Sequence, residues 1–252
     1  MQTITITVLC PHCTSGKIVK NGRKSNGNQN YRCQSCKKQF QAIYQYTGAN
    51  PVIQKKVLLL LCRNAGIRDI AVCCDISQQC VLKTLKKHGQ QTIVPQKKEY
   101  RSVQIDEVWS FVGRKKNKYW LLYAYARETK EVLAFVCGSR SRTTVRKLYK
   151  HLSGLTIGSY DTDHWKSFKT VFPEDRHRVG KEYTKHIEGV NTSIRARNRR
   201  FVRRTTCFSK SKEYHEYSLS LYFSYRNKHH TLWCTADDFN NMGMYTCYNT
   251  SR

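Results

Sequence analysis

Acidic residues are scarce in this 252-residue chain: Asp and Glu number 17 against 45 Lys plus Arg, a net charge of +28. So lopsided a surface repels itself unless a polyanion is its usual partner, which makes nucleic acid the leading candidate. No apolar run approaches the roughly 18 residues of a membrane-spanning helix, and the stretch Val57–Cys62 is core-sized. An anionic membrane is therefore the weaker rival. Met1–Cys10 lacks the basic start and small-residue cleavage site of a secretory signal, so the chain is expected to stay inside the cell. Internal repeats and low-complexity tracts are also missing.

The acids are missing unevenly. Up to Lys98 only Asp69 and Asp75 oppose 16 basic residues, whereas the remainder sets 15 acids against 29 basic residues. A purely basic arm thus precedes a part that keeps carboxylates. The 12 cysteines of an unsecreted chain are expected to stay reduced, some of them binding metal. Cys10-x-x-Cys13 and Cys33-x-x-Cys36, 19 residues apart, have the spacing of a four-thiolate zinc site. Each tight turn presents two sulfurs to one ion, and Lys17–Gly22 with Gln29–Arg32 read as a hairpin between the turns. Four sulfurs close a tetrahedron, which leaves His12 outside it. Cys62, Cys73, Cys74, Cys80 and Cys137 read as small core residues.

Pro51 to about Asn64 has a helical apolar pattern with proline in the permitted first turn. Gly66–Ala71 and Gln78–His88 follow, with Ser77 placed to cap the latter. Ile67, Ile70, Ala71, Ile76, Val81 and Leu85 fall where a helix-turn-helix buries its internal contact. The outward face of the last helix then carries Gln78, Gln79, Lys83, Thr84 and Lys87, suited to phosphates and base edges of a major groove. A plain three-helix packing unit is the simpler alternative. The polar stretch Gly89–Glu99 reads as a linker, because proline and charge interrupt any helical period.

From Tyr100 the pattern turns to strands: Val103, Ile105 and Val108 around Asp106 and Glu107, then Lys118–Ala126, then Glu131–Cys137. These predict an antiparallel meander. Thr144–Leu152 reads as a helix, Leu155–Asp163 as the next strand, and Lys185–Arg204 as a basic helix. That order suits an α/β fold of the ribonuclease-H type, in which acids at the first strand, the fourth strand and a helix converge on two Mg²⁺ or Mn²⁺ ions. Such ions activate the attacking hydroxyl and stabilise the leaving oxygen of phosphoryl transfer. Residue by residue the choice stays open. Period two puts Asp161 and Asp163 on one face, while Asp106, opposite Val103 and Ile105, competes with Glu107. Salt-bridged surface acids are the plainer reading of any one of them.

Several motifs, in one order from the paired cysteines to about His230, decide the matter. They are Asp106-Glu107-x-Trp109 with Val112-Gly113, Trp120-Leu121-x-Tyr123-Ala124, and Thr162-Asp163-x-Trp165. Tyr183-Thr184-x-x-Ile187-Glu188, Asn191, Arg195, and Phe208–Ser211 with Glu213 and His215 complete the set. The chain resembles the DDE transposases of the IS-one family of bacterial insertion sequences. The resemblance implies a metal-binding triad of Asp106, Asp163 and Glu188, and two-step cleavage and joining of DNA. Its implied partners are the terminal inverted repeats and target DNA, bound by at least a homodimer, with no membrane involved. The implied location is the cytoplasm beside the nucleoid.

On a helix Glu188, Asn191, Arg195 and Arg199 recur at steps of three or four, so Asn191 is expected to hold Glu188 or a water and Arg195 to face the scissile phosphate. Arg199, Arg203 and Arg204 are expected to track the DNA backbone. His215 is expected either to orient phosphate or to lie on a helix surface. His164 replaces a family glycine and would be strained at positive φ. The expected organisation is a zinc ribbon (1–47), a helix-turn-helix (48–90), a linker (91–99), a ribonuclease-H-like catalytic domain (100–230) and a tail (231–252) outside the family pattern. A non-catalytic regulator would need no triad, and a junction-resolving nuclease of the same fold would use it on branched DNA.

Overall fold

The computed structural model describes residues 8–42, 44, 46–202 and 206–228. It divides into two compact units. One comprises the described residues up to Leu60 with Ile67–Thr84, and the other comprises Leu61–Gly66 with the described residues from Leu85 onward.

In the first unit, β1 (Ile18–Arg23), β2 (Gln29–Cys33) and β3 (Gln39–Gln41) form a three-stranded antiparallel sheet. The expected hairpin is present, and β3 adds a strand too short to show a period. Cys10, Cys33 and Phe40 are buried together, with Tyr31 stacked on Phe40. Helix α1 (Pro51–Cys62) starts at its proline, and the Asn50 side chain accepts from Val52 N at 2.9 Å, satisfying one of the orphan donors of the first turn. Helices α2 (Ile67–Cys73) and α3 (Gln78–Gly89) flank a four-residue turn in which Asp75 takes φ 50°. Ser77 caps α3 as expected, its Oγ accepting from Cys80 N at 3.2 Å. Ile70, Ala71 and Val81 are buried. Cys73, expected in the core, is instead exposed.

The second unit is built on β4 (Glu99–Val108), β5 (Trp120–Ala126), β6 (Glu131–Gly138), β7 (Thr156–Thr162) and β8 (His177–Val179), in the order β6-β5-β4-β7-β8. The first three strands make the antiparallel meander, and β7 and β8 add parallel to β4. Inward residues alternate between two cores. Val103, Ile105, Leu122, Ala124 and Ile157 pack with Leu148 of α4 (Arg142–His151) and Phe168 of α5 (Lys166–Lys169). Val108, Leu121 and Tyr123 pack with Ile187, Val190 and Ile194 of α6 (Lys181–Arg197) and Leu219 and Phe223 of α7 (Lys212–Lys228). Each fully buried Leu, Ile or Phe stabilises the layer by about 1.5–3 kcal/mol. The basic helix begins and ends earlier than expected. Asn198 leaves helical geometry and its side chain accepts from Arg200 N, capping a 3₁₀ turn over Arg199–Phe201.

Candidate active site

The two strand ends that carry acids are brought together by register. Gln104 of β4 pairs with Asp161 of β7, and because the strands are parallel, Asp106 and Asp163 emerge two residues later at the same end. Oxygens of Asp106, Glu107 and Asp163 lie within 4.8 Å of one another. Asp163 is past the last residue of β7, half-buried, with Oδ1 accepting from Trp165 N at 3.0 Å. The alternation of a strand therefore does not extend to it. Asp161 faces elsewhere: it is buried and bound by Arg178 of β8 through two hydrogen bonds of 2.8 and 2.9 Å. A carboxylate saturated by a bidentate guanidinium is committed to structure.

Asp106 is held on both oxygens. Oδ1 accepts from Glu107 N at 2.7 Å and Oδ2 from Asn191 Nδ2 at 2.6 Å, while the Tyr123 hydroxyl donates to Asn191 Oδ1 at 2.7 Å. Asn191 thus serves Asp106, and no Asn191–Glu188 hydrogen bond is formed among the described residues. Burial raises the Asp106 carboxyl above the usual range, and the charges of Asp163 and Glu188 add to this. Glu188 lies one helical turn before Asn191 on α6 and is exposed, outside the three converging carboxylates but near enough for its charge to reach Asp106.

Gln104, missed in the sequence, joins α6 to β4. Its amide nitrogen donates to Tyr183 O and its Oε1 accepts from Ile187 N at 2.9 Å. Those two backbone groups are the pair an ideal α-helix would join. The side chain therefore grips the helix at the turn immediately before Glu188. Only a buried polar residue inside a strand could have signalled it.

Elsewhere the expected residues scatter. Arg195 is half-exposed on the last turns of α6 and Arg199 is exposed; Arg203 and Arg204 lie outside the described residues, as do residues 231–252. His215 is neither a surface residue nor a phosphate ligand: it is fully buried, Nδ1 sharing a hydrogen bond with Ser209 Oγ at 2.9 Å, its ring against Phe201 and Tyr119. Burial pushes its pKa down to about 4. His164 is exposed and is not among the described non-glycine residues with positive φ, so the expected strain is absent.

In the first unit, the sulfurs of Cys10, Cys13, Cys33 and Cys36 gather within 4.8 Å. Thr14 and Lys37, each following a Cys-x-x-Cys turn, take φ 58° and 61°, so both turns close alike. The Cys36 N–H donates to Cys33 Sγ at 3.5 Å and draws that thiol down to about 6, toward the thiolate a metal needs. On α3, Gln78, Gln79, Lys83 and Lys87 are exposed, while Thr84 is half-buried and donates its hydroxyl to Cys80 O. Among the described residues no helix is long and apolar enough to cross a membrane.

Residues 101–231, just over half of the chain, match the IS1 transposase family. The chain belongs to that family. Residues 1–37 match the zinc-ribbon InsA N-terminal domain. Relatives include the InsB protein of insertion element iso-IS1n from Shigella dysenteriae, 43% identical over 113 residues, which are 45% of this chain and 86% of that protein. The InsB protein of an IS1 element from Shigella flexneri is 33% identical over 124 residues, 49% of this chain and 95% of its own. InsA-like and InsB-like regions therefore stand in one continuous sequence. A simian T-cell lymphotropic virus intasome structure in complex with a PP2A regulatory subunit aligns over 74% of this chain and 71% of its own at 12% identity, and its TM-score of 0.35 is too low to carry any argument.

Proposed function

We propose that this IS1-family transposase cleaves DNA at the ends of its insertion sequence and joins the released 3′-hydroxyl to target DNA. The observation that carries the reading is the side-by-side emergence of Asp106 and Asp163 from parallel strands, with the Glu188 helix gripped against β4 by Gln104 and Asn191. All donors there are carboxylate oxygens, and a buried carboxylate crowded by two others fits a hard divalent cation better than it fits solvent. When bound, Mg²⁺ or Mn²⁺, two ions in this reading, supplies the Lewis acidity that activates an attacking hydroxyl and stabilises a leaving oxygen.

The chain's own residues do the rest. Asp106, Asp163 and Glu188 hold the cations. Asn191 fixes the Asp106 carboxylate, and Gln104 sets where α6 presents Glu188. Arg195 meets the scissile phosphate, and Arg199, with Arg203 and Arg204, follows the DNA backbone. In the first step water breaks a phosphodiester at the element's end and leaves a 3′-hydroxyl; in the second, that hydroxyl attacks a target phosphorus and displaces the target's own 3′-oxygen. No protein nucleophile is needed. The sheet with helices on both faces is read as ribonuclease-H-like, and α2, the turn and α3 as a helix-turn-helix reading the terminal repeats through Gln78, Gln79, Lys83 and Lys87. One Zn²⁺ on the four cysteines holds the ribbon. Pairing two DNA ends calls for a dimer or larger assembly, working where the chromosome lies, in the cytoplasm at the nucleoid.

Purified protein with Mg²⁺, DNA bearing the element's ends and a target plasmid tests this. Joined products are expected, and their loss in Asp163→Asn; unchanged joining in that variant would remove the triad.

A further inference from the structure

Glu107 is a carboxylate that the reading above leaves idle. Its side chain is only 8% exposed, and its Oε1 accepts from Arg140 Nε at 2.7 Å and pairs with Nη2 of the same guanidinium. Its Oε2 is buried and has no hydrogen-bond partner among the described residues. A buried carboxylate oxygen left bare loses its hydration with nothing in return, so a partner is called for. What stands nearby is Asp106 and Asp163, with an oxygen from each of the three within 4.8 Å of the others. Opposite ligands of an octahedral Mg²⁺, with bonds of about 2.1 Å, are about 4.2 Å apart. The three oxygens are thus close to the span one ion needs.

Arg140 does not consume this carboxylate. Its guanidinium lies over the rings of Trp165, at 4.7 Å, and Trp120, at 5.4 Å, so it is fixed from two sides and holds one oxygen of Glu107 while leaving the other. The backbone N–H of the same Trp165 donates to Asp163. One residue, through its ring and its main chain, therefore links the anchor of Glu107 to the second acid of the site.

We propose that Glu107 is a fourth carboxylate ligand of the metal centre, oriented by Arg140. The proposal rests on the metal-binding role given to Asp106 and Asp163. It makes the Asp-Glu pair at the end of β4 a two-sided clamp: Asp106 reaches the ion from the α6 face, Glu107 from the α4 face, and Asp163 from the neighbouring strand end.

Calorimetric titration of the full chain with Mn²⁺, zinc-loaded and dialysed free of other divalent ions, tests it with a readout independent of strand joining. Glu107→Gln is expected to weaken Mn²⁺ binding about tenfold or more, comparable with Asp106→Asn, and Glu107→Asp, which keeps the charge but withdraws it by one methylene, by less. Arg140→Gln, which removes the anchor but not the ligand, is expected to lose less than Glu107→Gln. If Glu107→Gln melts early, the Mn²⁺-induced rise in Tm of Glu107→Asp against wild type carries the test, and an undiminished rise overturns the proposal. Affinity within twofold of wild type in Glu107→Gln, beside a clear loss in Asp106→Asn, overturns the ligand role and leaves the triad standing. Equal losses in Glu107→Gln and Arg140→Gln reduce Glu107 to a holder of Arg140. No loss in Asp106→Asn either would bring down the metal-centre reading itself.

Discussion

The cysteine cluster and the carboxylate cluster are both groups of four or fewer ligands gathered within 4.8 Å, yet they are assembled in opposite ways. Each pair of cysteines is three residues apart, so a local turn does most of the work, and the two turns are closed by matching left-handed residues. The carboxylates come from a strand end, Asp106 and Glu107, and from the loop after a second strand, Asp163, and only the pairing of β4 with β7 brings the two together. The cysteine cluster is a matter of sequence spacing. The carboxylate cluster is a matter of topology, and its supporting polar groups, Gln104, Asn191 and Tyr123, are buried in the layer that makes the topology.

The largest expected effect separates the two sites. Stripping zinc with a chelator, or Cys33→Ser, should unfold the ribbon, because structural zinc supplies about 10–16 kcal/mol of apparent binding free energy to such folds. Limited proteolysis should then cut the first 40 or so residues while the sheet of the second unit stays resistant. A ribbon equally resistant without zinc would contradict the comparison.

Next comes the buried histidine of the second unit. With a folded pKa of about 4 against 6.5 in the unfolded chain, His215 is neutral in both states at high pH, and the unfolded state takes up its proton first as pH falls. Stability present above pH 6.5 is therefore lost progressively toward pH 4, by about 3 kcal/mol. His215→Phe should flatten denaturant midpoints across that window; an unchanged pH profile would show the histidine is not buried as described.

Gln104→Leu is expected to cost about 1–3 kcal/mol through its two hydrogen bonds to α6. Joining should fall by more than stability accounts for, since Glu188 follows the gripped turn, and hydrogen exchange at Ile187 should quicken. Full activity with a lowered Tm would confine Gln104 to packing. The smallest effect on joining is expected at Asp161→Asn. Asp161 is buried while its partner Arg178 is 47% exposed, so stability should fall by about 1–3 kcal/mol with joining kept.

Much of the architecture is legible in the sequence. The aromatic and aliphatic runs around Trp120–Ala126 and Glu131–Gly138 mark strands because their side chains fill two cores, and Ser77 and Pro51 mark helix starts through capping chemistry. The three-residue strands β3 and β8 carry no period to read. The end of α6 is hidden in the sequence because the basic composition continues past Asn198, while the cap that stops the helix is a single side chain. In the site, strand parity set Asp106 apart from Glu107, and that parity holds for the faces they occupy. It hid the fact that at a strand end both faces meet the same loop, so Glu107 still reaches Asp163. Parity also made Asp161 and Asp163 look equivalent, whereas β7 ends at Thr162 and Arg178, distant in the sequence, claims Asp161.

That last contrast is the most direct test of the account. Strand joining should be compared for Asp163→Asn and Asp161→Asn in one preparation, with the same end-bearing DNA and Mg²⁺. Loss of joined product in the Asp163 variant, with near wild-type joining in the Asp161 variant, is the predicted result. The reverse pattern, or equal loss in both at unchanged Tm, would contradict the assignment of the site to the end of β7.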